Sequence, residues 1–317
     1  MRAAVLSELG RSPELGERPA PAAADGEVVL EVLAAPLNPL DIAVGSGRYF
    51  AGHPPVPYVP GSEAVGRRRD SGELVWAFGD GFGLRRDGTF AELAACSGEA
   101  LVPVPDGAEP AVAAALGIAG LAGWLPLAWR APVREDDRVL VLGATGTAGR
   151  VAVQVAKLLG AERVVAAGRD AERLERATED GADATVQLED AEGLGDRFRE
   201  ACGGDGPTLV FDPLWGRPAL AALEAVAPGA RVVQLGQSAG AEASVRSGLI
   251  RGKQLDILGH TNFAVPRDVL AQEYGKLVRH AVTGGITIDV EQVSLDDVAS
   301  AWERQAQGSG RKLVLVP

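Results

Sequence analysis

The stretch VLVLGATGTAGRV at residues 139–151 runs a hydrophobic segment into a turn holding Gly143, Gly146 and Gly149, and then into helix-forming residues. A strand that passes through so tight a turn into a helix is the opening of a parallel sheet covered by helices. The residues that follow keep the same grammar. In TAGRVAVQVAKLLG, Val151, Val155, Leu158 and Leu159 recur at helical spacing, and Gly160 is placed to end the helix. RVVAAG (163–168), ATVQL (184–188), TLVFD (208–212), RVVQLG (231–236) and QLDILG (254–259) are further strand candidates with helix-like segments between them. Asp170 is placed to cap the helix AERLERATEDG. Such alternation predicts right-handed crossovers and a doubly wound α/β sheet.

The first hundred or so residues read differently. AAVL (3–6), EVVLEVLAA (27–35), ELVWAF (73–78) and TFAELAAC (89–96) are short strand-like runs, and Pro54, Pro55, Pro57 and Pro60 crowd one loop. This spacing predicts a small, irregular, barrel-like β domain. Beyond Asn262 a helix-like segment (266–282) and a KLVLV strand (312–316) are too little for a third domain and are expected to return to the first. Between the two regimes, AVAAALGIAGLAGWLPLAW (111–129) carries no charge over 19 residues, about the length that spans a bilayer. Its apolar content is mostly Ala and Gly, Pro126 interrupts it and no basic flank accompanies it, so it reads as a buried helix.

The 317 residues, 46% hydrophobic and 23% charged, have globular composition, enough for one large or two ordinary domains. A formal charge of −12 argues against nucleic-acid or anionic-membrane partners, which need basic surface. Cys96 and Cys202 are too few and too far apart for a disulfide framework. MRAAVLSELGRSPE meets acidic and proline residues before any signal-length apolar core. A cytoplasmic protein is expected.

The turn Gly143, Ala144, Thr145, Gly146, Thr147, Ala148, Gly149 has the chemistry of a dinucleotide site. Glycine lets the backbone approach a pyrophosphate, while the next helix aims free N–H groups and its positive dipole end at the anion. Sites for NAD usually place Asp or Glu at the end of the second strand, for the ribose hydroxyls. Here Gly168 leaves room and Arg169 offers a fork of donors to a 2′-phosphate, so NADPH is the expected cofactor.

Little else in the chain is reactive. His53, His260 and His280 are isolated and neither cysteine sits in a paired spacing or in a context that marks an activated thiol, so neither a metal site nor a nucleophile is expected. A cofactor turn with a β-rich companion suits hydride transfer, in which the cofactor carries the chemistry.

Several segments, in order, resemble the quinone oxidoreductase branch of the zinc-independent medium-chain dehydrogenase/reductase superfamily. They are MRAAVLSELG, LNPLDIAVGSGRY (37–49), PGSEAVG (60–66), the turn at 143–149 and VFDPLWG (210–216). The resemblance implies a GroES-like catalytic domain formed by residues 1–112 and 259–317, an inserted Rossmann NADP-binding domain at 113–258, and an active site in the cleft. Zinc-dependent relatives carry a cysteine where this chain has LNPLD, a GHE motif where it has Gly61, Ser62 and Glu63, and a four-cysteine lobe near position 90; none of these is present. Without a Lewis acid, the implied reaction is reduction of a quinone or an activated alkene such as a 2-alkenal or enoyl compound. Asn38 and Tyr49 fall at the family's catalytic positions, with Tyr49 as candidate proton donor and Asn38 orienting substrate or nicotinamide. The resemblance also implies that Leu235, Gly236 and Gln237 face the nicotinamide amide, that Lys312 lies close to the cofactor, and that the chain forms a homodimer.

Three other readings stand beside this one: a short-chain reductase, a zinc-independent carbonyl reductase, and a protein that binds NADPH without turning anything over. Catalytic short-chain reductases place Tyr and Lys four apart, whereas Tyr274 and Lys276 are two apart.

Overall fold

The turn-rich N-terminal residues form short strands, β1 (Arg2–Val5), β2 (Glu14–Glu17) and the longer β3 (Glu27–Pro36), followed by helix α1 (Pro39–Gly45). Asn38 precedes Pro39, whose fixed φ suits the first helical position. Strands β4 (Glu63–Arg68), β5 (Leu74–Phe78), β6 (Leu93–Ser97) and β7 (Leu101–Pro103) come next. Of the predicted strand 89–96, Leu93 onward forms β6 and Ala91 makes an isolated antiparallel bridge to Ala3 of β1, while Phe90 N–H donates to Pro60 O (3.0 Å) and Thr89 Oγ1 to Glu63 O (2.6 Å). The computed structural model describes residues 1–188 and 192–317, in two compact units: Met1–Ala119 with Arg267–Pro317, and Gly120–Pro266.

Helix α2 (Pro110–Ala115) begins the long apolar segment, with Ala113, Ala114, Ala115 and Leu116 fully buried. The single helix expected over 111–129 is broken: Gly117 has ψ −113°. The cause is local. The Ile118 N–H donates to Glu63 Oε2 (2.8 Å) instead of continuing the helix, and a side chain at 117 would collide with that carboxylate. By length and composition alone the stretch Pro110–Arg130 is long and apolar enough to cross a membrane, yet 72% of its most apolar window is buried inside the protein.

The second unit starts with α3 (Leu121–Leu125) and then alternates β8 (Arg138–Leu142), α4 (Thr147–Leu158), β9 (Arg163–Gly168), α5 (Ala171–Glu179), β10 (Ala184–Gln187), α6 (Leu194–Ala201), β11 (Leu209–Asp212), α7 (Gly216–Ala225), β12 (Arg231–Gln234), α8 (Ser247–Lys253) and β13 (Asp256–Gly259). All six strands are parallel, in the order β10-β9-β8-β11-β12-β13. This is the doubly wound Rossmann arrangement, which reverses direction between β8 and β11. Its central strands read as unbroken apolar runs because both faces are covered; Val139 to Leu142 and Val164 to Ala167 are completely buried. β10 and β13 are the edge strands, and Ile257 of β13 is exposed.

The chain then re-enters the first unit through α9 (Arg267–Val282), β14 (Val290–Ser294), α10 (Val298–Gln307) and β15 (Lys312–Val316). β15 lies parallel to β14 and antiparallel to β3 at Leu315–Ala35 and Val314–Pro36, completing the seven-stranded sheet of the GroES-like unit. Both cysteines are buried free thiols.

Candidate functional site

In the second unit the nucleotide turn leaves the β8 edge with Gly143 at φ 66°, a left-handed conformation that glycine adopts freely. Ala144 is buried, its N–H bonded to Ala167 O (2.9 Å). Gly146 enters α4 in an extended conformation without a side-chain cap, and the first intrahelical bond runs from Arg150 N to Gly146 O (2.9 Å). The N–H groups of Thr147, Ala148 and Gly149 therefore precede the helical ladder, as orphan donors that a pyrophosphate would satisfy. A Cβ at Gly149 would stand 2.7 Å from Ala144 Cα, so the tight packing of helix on strand admits only glycine. The turn fits a dinucleotide.

At the end of β9, the space beside Gly168 is filled by the Thr145 side chain, whose Cγ2 would lie 2.5 Å from any Cβ there. That packing, rather than room for a phosphate, accounts for the glycine. The Arg169 side chain is exposed and has no ion-pair or hydrogen-bond partner among the described residues; only its carbonyl is engaged, by Gln187 Nε2 (3.2 Å). Neighbouring Asp170 is committed: one oxygen accepts Arg173 N–H (3.1 Å) to cap α5, and the other pairs with the Arg173 guanidinium (3.2 Å). An unoccupied cation beside a spent carboxylate favours a 2′-phosphate over a ribose diol.

After β12, Leu235 N–H bonds to Asp212 O (2.9 Å), and Gly236 O accepts Gln234 Nε2 (2.6 Å). The N–H groups of Gly236 and Gln237 have no partner among the described residues, so this loop has backbone donors to offer.

The first unit holds a buried charged centre. Asn38, 1% exposed, is clamped at both ends of its amide: Nδ2 donates to Glu63 Oε1 (2.9 Å) and Pro36 O (3.2 Å), and Oδ1 accepts from Lys312 Nζ (2.6 Å). Lys312 also donates to Leu37 O (2.6 Å). Glu63 Oε2 takes Trp76 Nε1 and Ile118 N, both at 2.8 Å. On α1, Asp41 Oδ2 accepts the Asn38 N–H (2.7 Å). Burial pushes the Glu63 carboxyl up against the opposing pull of Lys312, and pushes the Lys312 ammonium down against Glu63 and Asp41. Burial also raises Asp41 to about 6, the Asn38 N–H bond opposing it. Charges this deep persist only because each is paired and hydrogen-bonded.

Asn38 and Tyr49 are thus not brought together. They flank α1, with the Asn38 amide sealed at its start and Tyr49 half-buried past its end, its N–H on Ala43 O (3.1 Å) and its ring tilted against Phe50 at 4.7 Å. The Tyr49 hydroxyl has no partner among the described residues. Lys312 directs its ammonium into the first unit's own interior. Sequence reasoning missed Asp41 and Glu63 as members of this centre; their only signal was a charged residue inside an otherwise apolar run. Tyr274 is fully buried, its hydroxyl on Ala113 O (3.0 Å) and its ring stacked on Trp76 at 4.4 Å, while Lys276 pairs with Glu273 (2.7 Å), so neither is a short-chain catalytic residue. Among the described residues, no group of three or more His, Cys, Asp or Glu is placed to hold a metal ion.

Comparison with known proteins agrees with this architecture. Residues 148–280 match the zinc-binding dehydrogenase family. The chain is 26% identical to the human quinone oxidoreductase over 100% of this chain and 98% of that protein. It is 29% identical to a subunit of the phenolphthiocerol/phthiocerol polyketide synthase of Mycobacterium tuberculosis across 92% of this chain; it spans 14% of that much longer protein. Among solved structures, the quinone oxidoreductase of Thermus thermophilus, determined alone and with NADPH, superposes with a TM-score of 0.84 over the whole of both chains at 28% identity.

Proposed function

The chain belongs to the quinone oxidoreductase branch of the medium-chain dehydrogenase/reductase superfamily, and from that premise we propose that it is an NADPH-dependent oxidoreductase reducing a quinone or an α,β-unsaturated carbonyl compound without zinc. The observation that carries the cofactor choice is Arg169, a cation without a partner among the described residues, beside an Asp170 already spent. NADPH, when bound, supplies a hydride. The chain's residues do the rest. The α4 N-terminus and the glycine turn hold the pyrophosphate, Arg169 the 2′-phosphate, and the N–H groups of Gly236 and Gln237 the carboxamide. Tyr49 holds a proton at Oη, hydrogen-bonds the acceptor's oxygen, and delivers that proton to it or to the adjacent carbon as the alkene is saturated. Asn38 enters as the residue that fixes the start of α1, and through it the placement of Tyr49.

Metal independence is supported by the donor set: the Lys312 ammonium, 2.6 Å from Asn38 Oδ1, places positive charge where a dication would meet repulsion. The exposed edge β13 supports a homodimer joined through the Rossmann sheet, and two buried thiols fit a reducing cytoplasm.

The test is NADPH oxidation against quinones, 2-alkenals, enoyl thioesters and cyclic enones, with and without a chelator. Turnover of at least one class, unaffected by the chelator, is expected. Tight NADPH binding with no turnover of any acceptor would replace this reading with a sensor, and loss of turnover on chelation would remove its metal independence.

A further inference from the structure

In VFDPLWG the chain leaves β11 at Asp212 and reaches α7 through Pro213, Leu214 and Trp215. Trp215 has φ 54° and ψ −160°. Three non-glycine residues have positive φ among the described residues; of these, Gln254 sits in the ordinary left-handed well of a helix end, at ψ 50°. Trp215 lies in a region that only glycine occupies readily, and it carries the largest side chain available. Glycine at 215 would hold the same backbone freely.

The surroundings impose this conformation. Asp212 Oδ1 accepts the N–H groups of Leu214 and Trp215, each at 2.9 Å. The Ala239 N–H bonds to Leu214 O (2.8 Å), and a Cβ at Gly216 would stand 2.8 Å from Ala239 O. On the other side, Leu214 Cδ2 would come within 3.1 Å of a Cβ at Gly143, in the nucleotide turn. The loop is wedged between the β8 turn and the loop after β12, at the carboxyl edge where strand order reverses. That crevice is where open α/β sheets bind their ligands. The indole is half-buried, and its Nε1–H has no partner among the described residues. By contrast, Trp76 Nε1 is bonded to Glu63.

We propose that Trp215 is a cofactor-binding residue: its indole forms a wall of the switch-point crevice, and its Nε1–H donates to an oxygen of the nicotinamide-side phosphate or the nicotinamide ribose of NADPH. The inference rests on the NADPH reading above and deepens it. A residue held against its backbone preference, with an uncommitted donor at the ligand-binding edge, is the signature of a side chain kept for a ligand rather than for folding.

The experiment compares wild type with Trp215→Phe, which keeps a ring and loses the donor, and Trp215→Gly, which relaxes the backbone and loses both. Thermal unfolding without ligand and calorimetric titration with NADPH and with 2′,5′-ADP are measured for all three. The adenosine fragment carries the 2′-phosphate and the adenosine-side 5′-phosphate but neither the nicotinamide-side phosphate nor the nicotinamide ribose. Expected are a Trp215→Gly protein at least as heat-stable as wild type, an NADPH dissociation constant raised about tenfold in Trp215→Phe and further in Trp215→Gly, and unchanged 2′,5′-ADP binding throughout. NADPH binding equal to wild type in both variants would overturn the role of Trp215 and leave the cofactor assignment standing. Loss of 2′,5′-ADP binding in Trp215→Gly would also overturn it, by showing that Trp215 only supports the loop. A wild type that binds neither NADPH nor 2′,5′-ADP would instead refute the cofactor assignment.

Discussion

Lys312 Nζ and Asn38 Oδ1 meet at 2.6 Å across 274 positions of sequence, joining the last strand of the first unit to the start of α1. Lys312→Met removes the donor for Asn38 Oδ1 and Leu37 O, and leaves Glu63 without its counter-charge. Breaking one partner of a buried pair costs about 3–5 kcal/mol. Glu63→Gln in the same background removes the uncompensated charge, so the double variant is expected to lose less than the sum of the single losses. Denaturant titration of the four proteins measures this; strict additivity would show that the two groups do not interact.

Asp41 gives the first unit a pH signature. Its carboxyl sits at about 6 in the folded chain, against about 3.9 when unfolded. Between these values the folded chain keeps a proton that the unfolded chain releases, so Asp41's contribution is full below pH 4 and is lost as pH rises through 6. At about 1.4 kcal/mol per unit, the stability of wild type relative to Asp41→Asn is expected to fall by about 3 kcal/mol from pH 4 to 7. Parallel stability curves would mean that Asp41 is not protonated in the fold.

Cofactor preference is expected to rest on one side chain. Arg169→Ala removes a charge-assisted contact of about 1.5–3 kcal/mol, which raises the Michaelis constant for NADPH about 10- to 100-fold and leaves that for NADH nearly unchanged. Steady-state kinetics with both cofactors decides it, and an unaltered preference rules Arg169 out.

General acid catalysis contributes about 100- to 10,000-fold, so Tyr49→Phe is expected to lower kcat by at least about 100-fold. The unfolding temperature should hardly move, since the hydroxyl bonds to none of the described residues. Turnover within a few-fold of wild type would remove Tyr49 as the proton donor.

The parts of the fold that the sequence announces are those whose burial is uniform. RVVAAG and KLVLV are packed on both faces and appear as strands over the residues their composition marks. VEQVS, half-exposed as β14, has too little periodicity to be seen. The break at Gly117 was hidden because its cause lies elsewhere: Glu63 takes the helix's N–H. For the same reason the clamping of Asn38 by Glu63 and Lys312 was not legible. A pairing between charges so far apart in sequence leaves no local pattern. Arg169 stands out by its position alone, whereas its lack of a partner among the described residues depends on Asp170 turning to Arg173. Nothing in a tryptophan announces a positive φ.

The first unit is assembled from two stretches of chain, Met1–Ala119 and Arg267–Pro317, and this orders events during synthesis. Domains form as units while the polypeptide emerges. Every residue of the Rossmann unit has left the ribosome before β15 exists, so that unit can fold first. Asn38, Glu63 and Asp41 emerge much earlier, yet they must wait for Lys312. Until then a nascent chain has the acids of this centre without their cation, and the sheet of the first unit lacks the strand that carries it.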